Sequence, residues 1–173
     1  RSKGPMNGSP PLYTASVPVF RHYLSRIDLI RDWVGPEMMA ARIGDAFPAG
    51  QQFSIAAGFA LRVACPLAGR EVPHLPAALS PRLAVARALL GSMLPQEFEG
   101  AEDRVIEHVA GFAQLRQDAA SFLHLYGIPN FFFHLTMGYA ALRAAGVPLG
   151  KAYFDGFHIY PADFSFGRDT RGG

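Results

Sequence analysis

Asn130 and His134 stand four residues apart in the segment IPNFFFHLTMGYAALRAAGVP, residues 128–148. On a helix that spacing puts both side chains on one face. They form a polar pair in a run otherwise filled by Phe131, Phe132, Phe133, Leu135 and Met137, so a site is expected there. Amide and imidazole groups can hydrogen-bond a small molecule, and an imidazole also ligates zinc or nickel. His124 lies six residues before Asn130, across Gly127-Ile128-Pro129. A break in the chain at that point would turn it toward the same pocket. His124, Asn130 and His134 are therefore the ligand-pocket candidates, and His134 with His124 the metal candidates. A catalytic zinc site takes three protein ligands, and no clear third donor stands with these two. The competing reading is that Asn130 and His134 are satisfied by hydrogen bonds within the protein.

The remaining candidates are weaker. Glu102, Asp103, Glu107 and His108 form an acidic cluster with one histidine. It reads as a solvated loop unless that loop folds over the pocket, in which case Glu107 or His108 reaches it. Gln51, Gln52 and Ser54 are the polar residues near the start of the second long helix, and their neutral chemistry weakens the case for a metal. His22, His74 and His158 read as surface residues. Cys65 is alone, so neither an intrachain disulfide nor a cysteine metal cluster is available. Its setting, Arg-Val-Ala-Cys-Pro-Leu, predicts a buried and unreactive thiol. Nucleophile elbow, phosphate-binding glycine loop, dinucleotide fingerprint, HExxH and EF-hand patterns are all absent from the sequence.

Four long helices are predicted to position these residues. Val17, Phe20, Leu24, Ile27, Ile30 or Arg31, and Val34 step by three and four, with Ser16 as a cap, Pro18 in the first turn and Gly35-Pro36 as the stop. A short helix is expected over residues 37–43. The second long helix runs over about 51–67 and closes at Gly69. The third starts at Ser80-Pro81 and ends at Pro95. Residues 94–117 are the least regular part and admit a short hairpin or an extended excursion. A short helix over 118–126 leads to the last long helix, which starts at Pro129 and stops at Gly146 and Pro148. Beyond it comes an aromatic tail with Tyr153, Phe154, Phe157, Tyr160, Phe164 and Phe166.

The composition limits the partners. Half of the 173 residues are hydrophobic and 17% are charged, which is apolar for a soluble domain and suggests burial in a homodimer. A formal charge of +2, without a basic stripe, argues against a nucleic-acid partner. There is no apolar run of the ~18 residues a membrane span needs. The polar start, RSKGPMNGSPP, lacks the apolar stretch of a signal peptide, and Met6 reads as the natural start. A cytoplasmic location is expected.

Several segments carry a family resemblance: LYTASVPVF, FSIAAGFALRVACPLAGREVP, GAEDR and FLHLYGIPNFFFHLTMGYAALRAAGVPLGK. Together they resemble the bacterial and fungal domain-of-unknown-function family number nineteen ninety-three, over about residues 12–154. That family is similar to the DinB-like and YfiT-like superfamily of four-helix bundles. The superfamily includes metal-dependent enzymes and thiol transferases, often dimeric, that bind a divalent metal through three histidines. Two of those histidines form an H-x-x-x-H pair on the last helix. His134 matches the second, and Asn130 stands at the first. The third belongs on the second helix, upstream of a turn matched by Leu67-Ala68-Gly69. No histidine occurs between Gly50 and Gly69.

The expected fold is thus all-α: a DinB-like four-helix bundle with long connections over residues 12–154, a flexible lead-in over 1–11, and an aromatic tail over 155–173, extended or packed on the bundle. The expected function is small-molecule binding near the start of the last helix, beside a degenerate metal site and without a cofactor. Two alternatives stand: a zinc- or nickel-dependent transferase or hydrolase of the DinB-like kind, and a non-enzymatic dimerisation module.

Overall fold

Proline near helix starts and glycine at helix ends punctuate much of this chain. The structure, a computed structural model, describes residues 8–164; Met6 and Phe166 lie outside them. A single turn, α1 (Pro11–Thr14), leads into α2 (Val17–Val34). Ser16 stands before α2, but its hydroxyl donates back to the Leu12 carbonyl and does not cap the helix. Val17, Phe20, Leu24, Ile27 and Ile30 are fully buried, the helical spacing made real. Gly35, at φ +83°, ends α2 in a conformation few other residues adopt. A 3₁₀ turn over Pro36–Ala40 follows in place of the expected short helix.

Helix α3 (Ala49–Leu67) starts two residues earlier than its sequence pattern suggests. It buries almost its whole circumference, as a central helix must. Its end is a Schellman motif. The Arg70 N–H reaches the Cys65 carbonyl at 2.8 Å, the Gly69 N–H reaches Pro66 at 3.1 Å, and Gly69 takes φ +71°. Helix α4 (Leu79–Ser92) begins just before Ser80, so Ser80 is a first-turn residue and not the cap.

The chain is not all-α. Residues 105–118 form an antiparallel hairpin, β1 (Val105–Ala110) and β2 (Ala113–Asp118), joined by Gly111 and Phe112. Gly111 at φ +60° supplies the left-handed first position of a tight hairpin turn. Ile106 and His108 face the protein, while Val105, Glu107 and Val109 face solvent. This is the short hairpin that the irregular segment admits; its pattern is blurred because apolar Val105 and Val109 lie on the outer face and polar His108 on the inner one.

Asp118 ends the hairpin and caps the next helix, its Oδ1 accepting the Ser121 N–H at 2.9 Å. From there the backbone stays helical through α5 (Ala119–Ser121), a wide π-turn over Phe122–Gly127, and α6 (Ile128–Ala144). No break precedes Pro129. In an ordinary α-helix a proline ring presses on the carbonyl four residues back, and the widened turn in front of Pro129 accommodates it. α6 ends in a second Schellman motif, with Val147 N–H on Leu142 at 3.1 Å and Gly146 N–H on Arg143 at 3.0 Å.

The four long helices pack on one another. α4 packs on α2 and α3, and α3 packs on α6. α6 returns to α2 through Phe20 against Phe131 at 4.9 Å and Tyr23 against Phe132 at 4.8 Å. A last short helix, α7 (Lys151–Asp155), lies on α2, where Arg26 donates to the carbonyls of Ala152 and Tyr153. Phe157 then stacks on His22 at 5.0 Å. No described helix is long and apolar enough to cross a membrane.

Candidate functional site

The face shared by α3 and α6 carries the polar pair closest to the sequence expectation. His134, half-buried on α6, meets Gln52, buried on α3, with 2.7 Å between Nδ1 and Oε1. An amide oxygen accepts and cannot donate. The proton therefore sits on Nδ1 and a lone pair is left on Nε2. Burial lowers the pKa of the imidazole below its ordinary value, and the nearby Arg62 charge adds to the effect. His134 is accordingly held neutral.

Phe59 is the hub of this group. His134 stacks on it at 5.6 Å, Tyr126 meets it edge-on at 5.8 Å, and the Arg62 guanidinium lies 4.6 Å from its ring centre. Arg62 also donates to the Tyr126 hydroxyl and the Val109 carbonyl, both at 3.3 Å. The hairpin is thereby tied to the helices. His108 sits inside that tie. Its ring lies 4.3 Å from Tyr126 and 4.9 Å from Phe122, and its Nε2 pairs with Gln117 at 2.7 Å. The loop does fold over the helices and brings His108 with it. Glu107 instead points outward, in an exposed ion pair with Arg116.

Asn130 and His124 do not join this group as expected. The Asn130 side-chain amide donates to the Tyr126 carbonyl at 2.8 Å, in the turn where Pro129 has no N–H to give. His124 is exposed on the π-turn and makes no hydrogen bond among the described residues. Because the run is continuous helix, nothing swings it inward. Among the described residues, no three His, Cys, Asp or Glu side chains come together to hold a metal ion. Asn130 and Gln52 supply neutral amides where a divalent metal calls for imidazole or carboxylate, so the donor set does not fit one. Cys65 is buried as expected. Burial raises its pKa, with Arg70 opposing in part, and this keeps the thiol protonated.

Arg62 and Tyr126 are the residues the sequence reading passed over. Arg62 carried a signal, being the single charged residue within α3. Tyr126 carried none, because its partners come from α3 and the hairpin.

The family described as Domain of unknown function (DUF1993) matches residues 12–155. The chain belongs to the DUF1993 family. Among solved structures, this DUF1993 chain is similar to a DinB family member protein from Shewanella denitrificans. The TM-score is 0.72 at 24% identity, over 87% of this chain and 95% of that one. That likeness concerns the fold, and it agrees with the DinB-like resemblance read from the sequence. No curated protein matches the chain.

Proposed function

We propose that this DUF1993 member is a DinB-like four-helix bundle, built from α2, α3, α4 and α6, whose α3–α6 face binds a small polar molecule without a metal. One observation carries the reading: the Nδ1–Gln52 hydrogen bond orients a His134 that burial and the Arg62 charge keep neutral, with Nε2 unprotonated. The same type of hydrogen bond orients the histidine ligands of metals. Here it prepares one donor while the two others a catalytic site needs are missing. A neutral imidazole suits a different task, accepting a hydrogen bond or a proton from a bound molecule. Arg62 and the Tyr126 hydroxyl lie around the same Phe59 ring and supply donors.

The test is thermal-shift screening with small polar metabolites, followed by His134→Leu. A ligand whose shift disappears in that variant supports the site. A ligand whose shift survives moves binding elsewhere. Elemental analysis of the freshly purified protein tests the metal-free reading against the DinB-like metalloenzyme alternative. Stoichiometric zinc or nickel, lost in His134→Ala, would overturn the metal-free reading.

A second reading concerns assembly. Leu125, Pro129 and Phe133 are exposed in steps of four along the π-turn and α6, with Leu125 at 73% and Phe133 at 56%. This row is where we place a homodimer contact. Light scattering on Phe133→Ser should then show a shift from dimer to monomer.

A further inference from the structure

Arg82 on α4 is a half-buried cation with no carboxylate beside it among the described residues. Its Nε donates to the Ser54 carbonyl at 2.8 Å and its Nη1 to the Pro76 carbonyl at 3.0 Å. Both partners are neutral, and burial alone lowers the pKa of the group. Nη2 makes no hydrogen bond among the described residues. It lies against Gly58, where an added Cβ would come within 2.8 Å of it. A guanidinium has five N–H donors, and these two bonds use only part of them.

The space in front of this group is a cleft of about 260 Å³ between α3, α4 and the segment joining them. Arg62, one turn beyond Gly58 on α3, lines it, and so do His74, Val72 and Leu75. No acidic side chain lines it. Glu71 precedes Val72 in the chain but is exposed and outside the lining. The larger groove between α2 and α4 contrasts with it. There Arg87 and Arg31 share the carboxylate of Asp28, which lines the groove with them.

We propose that the cleft at Gly58, Arg62, His74 and Arg82 binds the oxyanion end of a small metabolite, a phosphate or a carboxylate. Planar guanidinium groups recognise both by paired N–H···O bonds. Gly58 is the cradle: it leaves the room that Nη2 occupies at the edge of the cleft. The volume holds an anionic head group with a short stem, well below the size of a dinucleotide. The cleft shares Arg62 with the α3–α6 face, but His74 and Arg82 belong to the cleft and His134 does not line it, so His74→Gln tests the cleft and His134→Leu tests the other reading.

The experiment is calorimetric titration at low ionic strength with inorganic phosphate in one arm and succinate in the other. Saturable binding of either anion is expected, and the stronger arm identifies the class of metabolite. Removing one charge-assisted contact should weaken binding roughly tenfold or more, so Arg62→Gln and the double variant with His74→Gln should show that loss. Both positions are exposed, and circular dichroism will confirm folding. Gly58→Ala should weaken binding by displacing Arg82. Absence of saturable binding of both anions at ~10 mM, or binding that Arg62→Gln with His74→Gln leaves unchanged, would overturn the proposal.

Discussion

Gly138 on α6 lies so close to Phe53 on α3 that a Cβ at position 138 would sit 2.6 Å from the ring. Gly127, at the end of the π-turn, stands in the same relation to Val63, at 2.7 Å. These two glycines let α6 approach α3 on a surface of small buried residues such as Ala56, Ala60 and Ala64. Gly138→Ala gains up to ~1 kcal/mol of helix propensity but forces a fully buried ring to move. Overpacking costs about 1–3 kcal/mol, so the steric effect wins. Urea unfolding should show a net loss of stability; a stabilised variant would mean that Phe53 has room to move.

The burial of His134, with Arg62 nearby, has a pH signature. The folded-state pKa of His134 lies below its ordinary value of 6.5, so the unfolded chain binds the proton more readily. The contribution is full above pH 6.5 and is lost as pH falls through the folded pKa. In His134→Leu this part of the slope should vanish. Thermal unfolding of both proteins between about pH 7 and 5 measures the difference.

Arg70 clamps the end of α3 to the turn after α4. Its guanidinium meets Glu97 twice, at 2.6 and 2.9 Å, and reaches Ser92 Oγ at 2.9 Å. The Glu97 pKa is lowered by its hydrogen bond to Arg70 and by the Leu94 N–H. Both side chains are partly solvated, so Arg70→Ala should cost only about 0.5–1 kcal/mol near neutral pH. That difference should shrink as pH falls below 4.5 and Glu97 protonates. Denaturant melts of the two proteins at several pH values provide the check.

Cys65, 2% exposed, should react with a thiol-specific chromogenic disulfide only through unfolding. Labelling of the native protein should be slow and should become complete in ~6 M guanidinium. Rapid native labelling would mean that the end of α3 opens locally.

The helices were legible because their signals are local. Pro36 and Gly35 stop α2, Gly69 and Gly146 close α3 and α6, and the buried stripe of α2 is written in its spacing. The family was legible for the same reason, from contiguous segments. The site was legible only in part. His134 stood out as a polar residue in an apolar run, and it does face a neighbouring helix. Asn130 turns back to the Tyr126 carbonyl and His124 stays exposed because the helix runs on through Pro129, which in sequence reads as a helix start. Whether a proline starts a helix or is absorbed by a widened turn depends on what the preceding turn packs against, and here that is Val63 beside Gly127.

By itself, then, the sequence determined where the long helices run, that the chain is rich in buried apolar surface, and which family it belongs to. Only the tertiary structure decided that His134 is answered by Gln52, 82 residues away, that a hairpin carries His108 onto Tyr126, and that Arg82 bonds neutral carbonyls with no counter-charge among the described residues. Helix ends are set by backbone conformation within a turn. A partner across the fold is set by how closely two helices approach, and in this chain that distance rests on glycines opposite bulky side chains.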